Sequence, residues 1–192
     1  IHVDGKPVDA PQPTRLWRYY KPTGLLCTNN DPKGRPTIFD RLPKRLPRTM
    51  SVGRLDFDSE GLLLLTNDGE IARRLELPET GWVRRYRVRC FGHPSADDLS
   101  ALAKGLTVDG EKFGYIEAGI DTARGANTWL TVSLREGKNR EIRRAFEHLG
   151  YPVSRLIRVA YGPFQLGKLP KNAVEEVPQR VLADQLGFER KR

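Results

Sequence analysis

The sequence predicts an α+β domain. Three observations carry that reading: a globular composition, a series of apolar or alternating runs of strand length, and capped or amphipathic segments of helical spacing set between them. At 192 residues, with 38% hydrophobic and 30% charged, the chain has enough apolar material for a sizeable core.

The elements follow in chain order. IHVDGKPV alternates around the turn signal Asp4-Gly5 and reads as the last hairpin of a small module, with APQPT at 10 to 14 as linker. The chain starts at Ile1 rather than methionine, so the rest of that module is expected upstream. The main domain begins near Thr14 with LWRYY at 16 to 20, then GLLCT at 24 to 28 and GLLLLT at 61 to 66, all read as strands. Asp68 is placed to cap a helix running through Leu75. VRRYRVRCF at 83 to 91 is a strand whose period of two puts Tyr86, Val88 and Cys90 inward and Arg85, Arg87 and Arg89 outward. Ser95 and Asp98 have capping-box spacing and open a helix that Gly105 closes. NTWLTVSLR at 127 to 135 and VSRLIRVAYG at 153 to 162 supply further strands. Between them, KNREIRRAFEHLG carries Ile142, Ala145, Phe146 and Leu149 on one helical stripe. At roughly 100° per residue Arg143 borders that stripe, while Arg140 and Arg144 point away from it.

Charge narrows the function. Lysine and arginine exceed the acids by 33 to 24, giving a net charge of +9, the footprint of a polyanion binder, with nucleic acid favoured over a membrane surface. No apolar run approaches the roughly 20 residues of a membrane span, so the expectation is a soluble, cytoplasmic protein. Cys27 and Cys90 lie far apart without a Cys-x-x-Cys pairing and read as reduced core residues. His2, His93 and His148 share no motif and carry no assigned chemistry.

The acids in GRLDFDSEGLLLLTNDG pose the chemical question. Asp-x-Asp-x-Glu-Gly starts like a calcium loop, but its twelfth position is Asn67 and a leucine run replaces the exiting loop. A metal-dependent nuclease would need further converging acids. Asp58 and Glu60 read as solvated acids at a strand end. Asp56 differs, because it stands between Leu55 and Phe57 and a buried carboxylate there requires a cationic partner, for which Arg143 is the candidate.

That same stretch, 53 to 69, resembles the signature of the bacterial rRNA pseudouridine synthases of the small-subunit type. YYKPTGLLCTNNDPKGRPTIFDRLP, RRYRVRCFG and EGKNREIRRAFEHLGYPVSRLIRVAYG are similar to three other blocks of the family, in order, over about residues 14 to 165. The last block is closer to the large-subunit, B-type branch. The resemblance implies a pseudouridine synthase fold at 13 to 192: a large, mainly antiparallel mixed sheet with flanking helices and a central cleft. It also implies that residues 1 to 12 are the tail and linker of an S4-type RNA-binding module.

The implied activity is the isomerisation of a uridine in ribosomal RNA, most closely large-subunit (23S) RNA, by a monomer without cofactor or metal. Asp56 matches the essential aspartate, which either attacks the ribose anomeric carbon or promotes proton removal at its neighbour. Tyr86 matches a tyrosine that stacks on uracil, Arg143 the arginine paired with the aspartate, and Arg54 the residue that enters the space of the flipped nucleotide. Ser59 stands where threonine is more usual and keeps the hydroxyl. Lys21, Lys33, Arg35, Lys138, Arg140 and Arg144 are expected phosphate contacts. The competing reading is a non-catalytic RNA-binding or ribosome-assembly protein on the same scaffold.

Overall fold

The computed structural model describes residues 12–187 together with residues 2, 3, 6 and 7. Strands β1 (His2–Val3) and β2 (Lys6–Pro7) pair antiparallel, His2 opposite Pro7 and Val3 opposite Lys6. The remainder of the expected module tail, and Ala10 and Pro11 of the linker, lie outside the described residues. The elements that follow are β3 (Leu16–Lys21), α1 (Ile38–Arg41), β4 (Met50–Val52), β5 (Glu60–Thr66), α2 (Gly69–Glu76) and β6 (Arg84–Phe91). After these come α3 (Ala96–Lys104), β7 (Thr107–Val108), β8 (Glu111–Lys112), β9 (Glu117–Arg124), β10 (Asn127–Leu134) and α4 (Glu141–His148). The chain closes with β11 (Val153–Tyr161), β12 (Phe164–Gln165), β13 (Val174–Glu176) and α5 (Gln179–Leu186).

Nine strands form one mixed sheet in the order β13-β3-β5-β11-β6-β10-β9, with β4 beside β5 and β12 beside β11. Its pairings are antiparallel except β5 with β11, as the α+β expectation requires. The leucine run explains why β5 is central. All seven of its residues are buried, so it is covered on both faces. Leu63 and Leu65 join one core with Tyr86, Val88, Leu130 and Phe146, while Leu62 and Leu64 join a second with Ile71, Tyr161 and Leu182. The period of two thus splits one strand between two cores.

Helix starts follow their capping residues. Asp68 accepts from the Glu70 amide, and Ser95 forms a reciprocal box with Asp98 before α3. The expected strand at 24 to 28 is absent. Gly24 has φ +87°, and Leu26 makes a single bridge to Thr37. Leu25 and Cys27 are nevertheless buried, so the apolar run reflects a loop packed on the core rather than a ladder.

Gly61 fixes the parallel pairing of β5 with β11. Its φ is +111°, and a Cβ there would lie 2.3 Å from the Arg158 carbonyl oxygen. Gly61→Ala is therefore expected to lower stability by at least about 2 kcal/mol, from strain and overpacking together. Urea unfolding checks this; an unchanged midpoint would contradict the close approach.

Candidate active site

A cavity of about 730 Å³ opens between the loop that joins β4 to β5 and the loop that leads into α4. Arg54, Asp56 and Phe57 line it from the first loop, Lys138 and Arg140 from the second, and Tyr86 and Arg158 from the sheet. Tyr86 and Arg158 are register partners across β6 and β11, so they stand side by side on one face.

The first loop is held from beneath by a buried lysine. Lys21, at the end of β3, is 0% exposed, and its Nζ donates to the carbonyls of Pro22 (2.9 Å), Asp56 (3.0 Å) and Ser59 (2.8 Å). Burial pulls its pKa down, against the pull of Cys27, Asp56, Asp58 and Glu60. The expected phosphate contact at Lys21 is corrected accordingly, because an ammonium enclosed by three carbonyls faces the loop backbone and not RNA. Cys27 adds a second anchor through Sγ contacts to the Leu55 amide (3.4 Å) and carbonyl (3.3 Å).

The Asp56 carboxylate stands at the mouth with its side chain 37% exposed, more open than its apolar neighbours suggested. Its nearest cation is Arg140, with Nη1 at 3.5 Å from Oδ2. Arg140 also grips Asp58 with two hydrogen bonds of 2.9 and 2.8 Å. The Asp56–Arg143 pairing expected above is thus made by Arg140 instead. Arg143 donates from Nη2 to the Asp58 carbonyl at 2.8 Å and lies 3.6 Å from Asp58 Oδ2. Helical spacing misplaced Arg140 because it is the N-cap, with φ +51°, and the regular helix begins only at Glu141. Asp58 is therefore the hinge pin between the two loops rather than an idle acid. Hydrogen bonding from Arg140 holds its carboxyl below the usual range, against partial burial.

Glu60 is also corrected from solvated to buried. It accepts from the Tyr20 hydroxyl at 2.9 Å and from Arg155 Nη2 at 2.7 Å. Burial pushes its pKa up, but the Arg155 and Tyr20 bonds outweigh that and hold it low.

The remaining expected contacts divide. Arg54 and Lys138 line the cavity. Lys138 Nζ bonds the Lys112 carbonyl and lies 3.6 Å from Glu136 Oε2. Lys33 and Arg35 are exposed outside the cavity wall, with Arg35 paired to Asp31 at 3.1 Å. Arg144 likewise lies off the wall, bonded to Glu111 at 3.0 Å and set over the Phe113 ring. Among the cavity residues that escaped the sequence reading, Arg158 is the most deeply buried cation. Arg158 is 3% exposed, donates from Nε to the Leu62 carbonyl at 2.8 Å, and leaves Nη2 buried without a protein partner. The signal was present in VSRLIRVAYG, where Arg158 occupies the inward row with Leu156 and Ala160.

Beneath the second loop, Glu141 is 4% exposed; its Oε1 accepts from the Lys138 amide at 3.0 Å, and Oε2 is buried without a bond. Glu136 accepts from the Gly114 amide. Burial, reinforced by Glu136, pushes the Glu141 carboxyl up to about 8, so at neutral pH it keeps a proton. A carboxyl whose folded pKa is raised contributes stability that is complete below its unfolded value near ~4.3 and fades as pH rises to about 8. Glu141→Gln keeps a donor at all pH values. Its melting-temperature advantage over the wild type is expected to widen from pH 5 to 8 and then level off; parallel curves would contradict the raised pKa of Glu141.

Comparison with known proteins identifies the family. Residues 15–148 match the family model described as RNA pseudouridylate synthase. An uncharacterized RNA pseudouridine synthase of Rickettsia bellii is 48% identical over 170 residues, 88% of this chain and 73% of that protein. The ribosomal large subunit pseudouridine synthase B of Yersinia pestis is 47% identical over 165 residues, and the match spans 85% of this chain but only 52% of that protein. Among solved structures, a crystal structure of a pseudouridylate synthase superposes with a TM-score of 0.77 at 27% identity, covering 90% of this chain and 74% of the other. With the family model spanning most of the chain and the fold shared, the chain belongs to the RNA pseudouridylate synthases.

Proposed function

We propose that this chain converts a specific uridine of large-subunit ribosomal RNA to pseudouridine, with Asp56 as the reacting carboxylate. The observation that carries the reading is the Asp56 carboxylate on the cavity wall, 3.5 Å from Arg140, with Tyr86 and Arg158 lining the same cavity. The reaction breaks the bond from ribose C1′ to uracil N1 and forms one from C1′ to C5. The C5 proton is released and N1 takes one up, so no electrons are exchanged and no oxidant is called for.

The target base must first leave its stack. Arg54, exposed on the loop before Asp56, fills the place that the base vacates. Tyr86 stacks on the uracil, holding it while it is detached and turned, and its hydroxyl lies in reach to relay the C5 proton. Asp56 acts either by attack on C1′ or by promoting proton removal at the adjacent carbon. Arg140 aims it, while Arg143 secures the loop through the Asp58 carbonyl. The large-subunit target rests on the likeness to pseudouridine synthase B. A single copy of the chain acts on this RNA in the cytoplasm. The net charge of +9 suits a polyanionic substrate, and Lys138 and Arg140 at the cavity stand where phosphates would pass.

Tritium release tests the reading. Large-subunit rRNA transcribed with uridine tritiated at C5 should lose tritium to water when mixed with the protein, and small-subunit rRNA should not. Release from neither RNA would turn the reading towards a binding protein on this scaffold.

A further inference from the structure

The catalytic cavity uses one face of the β6–β10 pair; the opposite face carries a second concentration of cationic and aromatic side chains. Register puts Arg85, Arg87, Arg89 and Phe91 of β6 on that face with Ser133, Thr131, Trp129 and Asn127 of β10. Arg124 of β9 joins it opposite Asn127. Arg85, Arg87 and Arg124 are exposed, and Phe91 is 60% exposed, although its position on a central strand would ordinarily favour burial. The guanidinium of Arg87 lies 4.8 Å from the Trp129 ring centroid and that of Arg89 lies 5.6 Å from it. Acids on the face are fewer: Asp121 accepts from Thr131 and lies 3.8 Å from Arg87, and Glu117 stands opposite Ser133. Successive arginines on β6 are two residues apart, roughly 7 Å along the strand. A flat sheet bearing rows of guanidinium groups and exposed rings is the chemistry that takes phosphates and unstacked bases together.

We infer that the outer face of β6, β10 and β9 is a second RNA-contact surface, which holds a single-stranded segment of the substrate away from the cavity. Phosphates run along Arg85, Arg87 and Arg124, and bases stack on Phe91 and on the Trp129 ring with its guanidinium partners. The inference rests on the RNA reading above but not on isomerisation. Its test is therefore a binding measurement that stands whether or not the protein turns over.

The probe is a fluorescent 20-nucleotide oligouridylate, titrated across a series of salt concentrations. The triple variant Arg85→Gln, Arg87→Gln, Arg124→Gln should bind it at least tenfold more weakly. With about 0.7 counterions released per phosphate contact, its logarithmic salt slope should be shallower by about 2. Oligouridylate should also quench tryptophan emission of the wild type, and Trp129→Phe should remove most of that quenching. Tritium release from saturating rRNA should stay within about twofold of wild type in the triple variant, since none of the three residues lines the cavity. Unchanged affinity and slope would overturn the inference, as would quenching that survives Trp129→Phe. Equal competition by polyglutamate of the same length would overturn it too, marking the face as a site for acidic protein.

Discussion

Asp56→Asn should bind ribosomal RNA with an affinity within about threefold of wild type and isomerise uridine at least about a thousandfold more slowly. The substitution is nearly isosteric and keeps an acceptor oxygen, so the loop, held through its backbone by Lys21, should keep its shape. What is lost is the negative charge needed for attack on C1′ or for proton removal beside it. Arg140 retains its two bonds to Asp58, so its position does not depend on Asp56. Single-turnover tritium release and a filter-binding titration separate the two effects. A rate loss below about tenfold would move the essential chemistry elsewhere in the cavity, and a matching loss of binding would make Asp56 a contact rather than a reactant.

Lys21→Met carries the largest expected effect on stability. Methionine fills the same apolar path but strands the carbonyls of Pro22, Asp56 and Ser59. Losing three charge-assisted bonds costs about 1.5–3 kcal/mol each, and relief from burying an ammonium returns several kcal/mol. The first effect wins by about 2–4 kcal/mol, read as a lower urea midpoint. Because two of the stranded carbonyls, those of Asp56 and Ser59, lie on the loop that presents Asp56, turnover should fall even at temperatures where the variant is folded. A variant as stable and active as wild type would show that Lys21 does not hold the loop.

Much of this fold was legible in the sequence where one physical requirement dominated. The alternation of RRYRVRCF placed Tyr86 inward and the arginines outward because β6 is covered by the core on one face only. The leucine run marked a strand covered on both faces. The sequence misled where packing and hydrogen bonding were decided by distant partners. GLLCT is apolar because a loop is packed on the core, and Glu117–Arg124, too polar to show alternation, is a strand through its pairing with β10.

The site divides along the same line. Asp56 and Tyr86 could be picked out by motif and by alternation, and both line the cavity. The cation beside Asp56 could not, because Arg140 precedes the helix in a left-handed conformation that no helical period describes. Lys21 read as a surface charge because nothing local shows the carbonyls of Asp56 and Ser59, which converge on it from another segment. Asp58 and Glu60 read as idle for the same reason, since Arg140 and Arg143 are 82 and 85 positions from Asp58 and Arg155 is 95 positions from Glu60.

The most direct measurement maps pseudouridine across ribosomal RNA in cells deleted for this gene and complemented with the full-length protein, either wild type or Asp56→Asn. The account predicts that one large-subunit site disappears on deletion, returns with wild type and stays absent with Asp56→Asn. Return of the site with Asp56→Asn would contradict it, as would an unchanged map in the deletion together with no tritium release by the purified protein.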